Sequence, residues 1–204
     1  MNLDNNKPWD ARLAFRLIYP LRNSSLTPNH FTVIRLLFGI LAFLGLSIGN
    51  YIWANIGAAC FVLSNFLDHT DGEYARLTGK STRFGHYLDL ASDAIVNILL
   101  FIGIGVGLRT STLGLYAVPM GILSGIAVAG IFHMRLYIEE TLGKEQARQP
   151  NVGVFEAEDI LYLLPVVTLT NQLVAFITLA SIGAPLFGAW VLKEYLALKK
   201  AETQ

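Results

Sequence analysis

The sequence predicts an all-α integral membrane protein: six transmembrane helices, preceded by an amphipathic helix lying in the headgroup region. Three observations predict it. Of 204 residues, 53% are hydrophobic and only 15% charged, against about 25% charged in a soluble domain. Charged side chains are absent from four long intervals: Arg35 to Asp68, Asp93 to Arg109, Arg109 to Arg135, and Asp159 to Lys193. Basic residues also cluster in alternate connections, as the loops of a polytopic protein do. The formal net charge of zero gives no global field and argues against a nucleic-acid partner. The apolar composition excludes disorder. The single cysteine, Cys60, lies in an apolar run and offers neither a disulfide framework nor a thiolate metal site.

The elements follow in chain order. Met1 to Lys7 is polar and lacks the apolar core and cleavage site of a signal peptide. From Pro8 to Tyr19, Trp9, Leu13, Arg12 and Arg16 recur at helical spacing, which suits an interfacial helix within an N-terminal segment 1–25. A membrane helix needs about 20 apolar residues, so the first charge-free interval holds two spans. They run from about Phe31 to Ile48 and from Tyr51 into the Asp68 region, with Ser47-Ile48-Gly49-Asn50 as the turn. The next two intervals each fit one span, Gly85–Leu108 and Leu113–Tyr137. The last breaks near Thr170-Asn171-Gln172, giving Asp159–Leu169, with Pro165 as a kink, and Leu173–Tyr195. No internal repeat is evident, so residues 1–204 read as one domain.

Lys7, Arg12, Arg16 and Arg22 precede the first span, and Arg76, Lys80 and Arg83 separate the second from the third. Arg135, Lys144 and Arg148 follow the fourth span, while Lys193, Lys199 and Lys200 close the chain; only Arg109 lies opposite. The positive-inside rule then places both termini in the cytoplasm. Small residues at Gly121, Gly125 and Ala129 recur every fourth position and permit close helix packing, within the chain or between two copies.

The acids are concentrated between Asp68 and Asp93. Asp68 and Asp71 are three apart, and Gly85, Asp89 and Asp93 recur every fourth residue, so each set shares a helix face. A short connection through Gly79 would turn these helices antiparallel and bring the faces together. Two carboxylates about 5 Å apart repel by roughly 3 kcal/mol at an effective dielectric of 20, and each loses hydration near hydrocarbon. Such a cluster calls for protonation or for divalent cations. All-oxygen ligation favours magnesium, then manganese or calcium. Gly72 and Gly85 leave room for a close ligand, and Arg76 can grip a phosphate with two hydrogen bonds. Acids, an arginine and glycines at an interface suggest phosphoryl transfer, with a spare carboxylate taking a proton from an attacking hydroxyl.

The pattern D-x2-D-G-x2-A-R-x8-G-x3-D-x3-D, filled by Asp68, Asp71, Gly72, Ala75, Arg76, Gly85, Asp89 and Asp93, resembles the signature of the class I CDP-alcohol phosphotransferase (phosphatidyltransferase) family. The resemblance implies a homodimeric enzyme of the cell (inner) membrane, with its active site cytoplasmic, acting in phospholipid biosynthesis. It would transfer a phospho-alcohol group, of phosphatidyl type, from a CDP-alcohol donor to an acceptor alcohol and release CMP. The alternative within the family is transfer of a polar phospho-alcohol from its CDP derivative to a lipid or second polar hydroxyl. By the same resemblance Asp68, Asp71, Asp89 and Asp93 would hold two Mg2+ or Mn2+ ions, and Asp93 would be the general base. Gly72, Ala75, Arg76, Thr82 and Gly85, with Asn29 and Thr32 at the start of the first span, would bind the nucleotide.

Thr27-Pro28 also reads as a plain helix cap. Arg35 lies one turn inside the first span, where it either snorkels to the interface or binds an anionic phosphate. Arg135, beside His133, is either an acceptor-phosphate contact or a positive-inside anchor. His69 and His86 flank the motif as solvated residues or substrate contacts. Glu156, Glu158 and Asp159 either cap the fifth span or face the acceptor, where they would favour one without a phosphate. The competing class is a divalent-cation transporter or binding protein using the same carboxylates.

Overall fold

A computed structural model describes residues 9–143 and 157–202, which form helices and turns without a β-strand among them. The helices are α1 (Trp9–Ile18), α2 (Pro28–Ser47), α3 (Tyr51–Thr78), α4 (Arg83–Gly107), α5 (Ala117–Leu142), α6 (Leu164–Leu169) and α7 (Leu173–Glu202). Lys7, Lys144, Arg148 and Glu156 lie outside the described residues.

Four helical stretches are long and apolar enough to cross a membrane by length and composition: Pro28–Ser47, Arg83–Thr110, Gly114–Leu142 and Leu173–Ala201. Two of the six expected spans differ from these. α3 has the length, at 28 residues, but Asn55, Asn65 and Asp68 dilute its apolar character. α6 has six residues and follows a 3-10 stretch, Ala157–Leu163. Together they rise about 23 Å, short of the ~30 Å hydrocarbon core. Pro165 does not kink this segment. It occupies the first turn of α6, where a missing N–H costs nothing. The expected break at Thr170-Asn171-Gln172 is present, with Asn171 in the left-handed region at φ 57°.

Sequence chemistry explains the helix ends. Pro28 opens α2, and the Thr27 N–H donates to His30 Nδ1 at 3.1 Å. Asn50 caps α3 by accepting from the Ile52 N–H at 2.8 Å. Gly79 ends α3 with φ 67°, its N–H reaching the Ala75 carbonyl at 2.9 Å, a conformation that favours glycine. Three residues later the Thr82 side chain accepts from the Gly85 N–H at 3.0 Å and caps α4. The turn is therefore short, but α3 and α4 do not pack on each other as a hairpin: each packs on α2 instead.

α2 packs between α3 and α4, and α5 bridges α4 to α7. Ala42, Leu46, Ala58, Phe61, Val96, Leu100, Phe101 and Ile104 form the main core. Close approach depends on small residues. A Cβ at Gly121 would collide with the Phe101 carbonyl, and one at Gly125 would come within 3.0 Å of the Ile98 carbonyl. The Gly121–Gly125 stripe thus packs α5 onto α4 inside one chain. α1 buries Ala14 and Ile18 and leaves Leu13 and Leu17 exposed.

At the end of α4, a Cβ on Gly107 would overlap the Leu46 carbonyl of α2. Gly107→Ala should therefore lower stability by about 1–3 kcal/mol, the usual cost of overpacking, read as a lower denaturation midpoint in detergent. An unchanged midpoint would show that α2 and α4 do not close there.

Candidate active site

The site forms where the cytoplasm-facing ends expected for α3 and α4 meet the first turns of α2. Asp68 and Asp71 come from α3, Asp89 and Asp93 from α4. Asp68, Asp71 and Asp89 each offer a carboxylate oxygen, and these lie within 4.8 Å of one another. An all-carboxylate donor set at that spacing fits a hard divalent cation. Asp71 is buried, and its Oδ2 accepts from Thr32 Oγ1 at 2.6 Å. The side chains of Asp68, Asp89 and Asp93 keep 26%, 38% and 39% of their exposure, so the cluster opens to one side.

Arg35 closes the other side. It neither snorkels nor reaches solvent; its side chain is 3% exposed. Nη1 donates to Asp68 Oδ1 and, at 2.9 Å, to Asp89 Oδ1, while Nη2 donates to Asp93 Oδ1. One guanidinium from α2 thus joins carboxylates of two other helices. An isolated arginine at the centre of a membrane helix costs about 2.5–3.5 kcal/mol or more. The carboxylates supply the pairing that a buried charge requires.

The other residues expected at the site fall into two groups beside the cluster. Asn29, Thr82 and Gly85 come together: a Cβ at Gly85 would stand 2.7 Å from Asn29 Oδ1 and 3.1 Å from Thr82 Oγ1. Gly72 and Arg76 form the second group, with Arg76 Nη2 3.6 Å from where a Gly72 Cβ would lie. Arg76 is two-thirds exposed and pairs with buried Glu73 at 2.7 Å. Ala75 is half-buried and contributes its carbonyl to the Gly79 cap.

Arg135 is not brought to the carboxylates. It lies on α5, 3.2 Å from Glu194 on α7 and over the Trp190 ring at 5.1 Å, while its Nε and Nη2 are buried without a hydrogen-bond partner among the described residues. His86 is exposed and His69 half-buried.

Comparison with known proteins agrees with this geometry. Residues 25–197 match the CDP-alcohol phosphatidyltransferase family. The chain belongs to that family. The resemblance read from the motif is thereby met, and family membership favours a transferase over the cation-transporter alternative. An archaetidylinositol phosphate synthase of Methanothermobacter thermautotrophicus is 29% identical over 177 residues, 82% of this chain and 83% of that protein. An archaetidylinositol phosphate synthase of Pyrococcus horikoshii is 37% identical over 87 residues. That match spans 43% of this chain and less than half, 45%, of the relative's length. Among solved structures, the Mycobacterium tuberculosis phosphatidylinositol phosphate synthase with CDP-DAG bound has the same fold. Its TM-score is 0.61 at 18% identity, covering 92% of this chain and 93% of that one.

Three residues of this CDP-alcohol phosphatidyltransferase-family chain carry more of the site than their sequence positions suggest. Arg35 is one. Tyr74 is fully buried and donates to the Leu21 carbonyl at 3.0 Å. Lys80 donates to the Ser24 and Leu26 carbonyls, both at 3.0 Å. Tyr74 and Lys80 anchor the segment before α2 and so place Asn29 and Thr32 beside the motif. Of the three, only Arg35 carries a signal in the sequence, as a charge one turn inside an apolar span.

Gly85→Ala would push the flexible Asn29 carboxamide aside rather than a backbone group. It should change stability by less than about 0.5 kcal/mol while raising the KM for a CDP-alcohol about fivefold, the worth of one hydrogen bond. A large fall in the melting midpoint with KM unchanged would contradict this placement.

Proposed function

We propose that the chain transfers a phosphatidyl-type group from a CDP-linked lipid to an acceptor alcohol and releases CMP. The observation carrying this reading is the convergence of four carboxylates from α3 and α4, three of them with an oxygen within 4.8 Å of the others and three of them held by Arg35. The presence of CDP-DAG in the similar M. tuberculosis structure supports a lipid donor over a polar CDP-alcohol.

On this reading Asp68, Asp71, Asp89 and Asp93 hold two divalent ions, magnesium or manganese. Bound there, the ions would neutralise diphosphate oxygens and favour departure of CMP. Asn29, Thr32, Thr82, Gly85, Gly72, Ala75 and Arg76 frame the cytidine and its phosphates. Asp93 takes the proton of the acceptor hydroxyl. The acceptor oxygen forms a bond to the lipid-side phosphorus, the bridging P–O bond breaks, and its electrons leave with CMP.

The remaining assignments follow from charge and composition. Six segments cross the cell membrane, α3 among them and the short α6 segment where the bilayer thins around it, while α1 lies along the interface with its exposed Leu13 and Leu17 toward lipid. Both termini and the carboxylates face the cytoplasm, following the basic loops, and two copies associate. Arg135, with two donors unbonded but paired to Glu194 away from the carboxylates, is a candidate contact for an anionic group on the far end of the acceptor. The relatives, both archaetidylinositol phosphate synthases by name, make a phosphorylated polyol the first acceptor to try.

The test is CMP release by purified protein from CDP-DAG, with a panel of alcohols and alcohol phosphates and products identified by mass spectrometry. Wild-type protein should turn over only with Mg2+ or Mn2+. Asp93→Asn should lose about 10²–10⁴-fold in kcat, the range for a general base, while keeping CDP binding. Undiminished turnover in Asp93→Asn would remove the base, and turnover in excess chelator would remove the metal.

A further inference from the structure

Arg35 is wedged beneath the carboxylates. One turn deeper, a Cβ on Gly39 would lie 2.5 Å from Val96 Cγ2, so α2 and α4 close together below the guanidinium. Ser64 Oγ donates to the Arg35 carbonyl at 2.9 Å and ties α2 to α3 at the same level. The arginine takes one oxygen, Oδ1, from each of Asp68, Asp89 and Asp93 and leaves Oδ2 of each for another cation.

The charge arithmetic gives this placement a consequence. Four ionised carboxylates with two divalent ions sum to zero. With Arg35 included, the loaded site carries one net positive charge, and the guanidinium repels each arriving ion across a carboxylate. An incoming diphosphate reverses that penalty because its negative charge lies against the surplus.

We propose that Arg35 is a positioning residue that weakens divalent-cation binding at the Asp68, Asp71, Asp89 and Asp93 cluster in the free protein and couples it to arrival of the CDP diphosphate. The inference rests on the carboxylates being metal ligands, as proposed above. It assigns Arg35 two tasks: holding three ligands in register across α3 and α4, and making the ions and the nucleotide bind together rather than separately. By linkage the ions must strengthen nucleotide binding by the same factor.

The experiment is an Mn2+ titration of the purified full chain in detergent, followed by electron paramagnetic resonance of free Mn2+, with and without CDP. It compares wild type, Arg35→Gln and Arg35→Lys. CDP should tighten Mn2+ binding to wild type tenfold or more. Arg35→Gln should bind Mn2+ alone at least tenfold more tightly than wild type, about 1.4 kcal/mol, and gain little from CDP. Arg35→Lys keeps the charge and should stay within threefold of wild type.

Equal or weaker Mn2+ binding by Arg35→Gln would overturn the inference, since loss of a merely structural contact loosens the ligands. Arg35→Lys tracking Arg35→Gln would also overturn it. Should Arg35→Gln fail to fold, wild-type Mn2+ affinity indifferent to CDP would suffice to do so. Wild type taking up no Mn2+ under either condition would instead overturn the metal reading itself.

Discussion

The structure depends on balancing four carboxylates and one guanidinium where α2, α3 and α4 cross. Like charges from α3 and α4 would drive the two helix ends apart, and an unpaired arginine would not stay in the apolar body of α2. Together they hold three helices in one register. Arg35 pairs with Asp68, Asp89 and Asp93, and Thr32 holds Asp71. The pairing leaves the cluster net negative, so the same contacts that permit the fold leave it able to attract cations.

The rest of the bundle keeps that crossing tight. Gly107, Gly121 and Gly125 let helix backbones approach closely, and Gly39 takes the Val96 side chain against α2. The Gly79 turn and the Thr82 cap set where α4 begins, and hence which of its faces carries Asp89 and Asp93. Tyr74 and Lys80 restrain the segment entering α2. Tyr74 also meets the Ser24 hydroxyl at 3.2 Å and the Phe31 ring, so these residues fix the path of the chain into α2.

Much of this was legible in the sequence because it rests on local rules. The charge-free intervals mark the apolar helices, Pro28 and Gly79 mark ends, and the spacing of Asp68, Asp71, Asp89 and Asp93 marks their faces. What was not legible depends on partners remote in sequence. Arg35 read equally well as a snorkelling residue, because its three partners lie on other helices. The small residues of α5 leave their neighbour open in sequence, and the structure sets Phe101 and Ile98 of α4 opposite them. Pro165 reads as a kink in sequence, which does not reveal that the preceding turns, Ala157–Leu163, are 3-10 rather than α. The aromatic and basic anchors Tyr74 and Lys80 carry no local signal, their targets being backbone atoms some fifty residues earlier.

If carboxylates from α3 and α4, backed by Arg35, form a divalent-cation site, manganese must be visible there. Anomalous diffraction at the manganese edge, on crystals of the full chain grown with Mn2+ and CDP, should give Mn2+ peaks bonded to Asp68, Asp71, Asp89 and Asp93, with Arg35 still on the buried side of the cluster. Peaks confined to other residues, or carboxylates closed around Arg35 with no manganese among them, would contradict a cation site there.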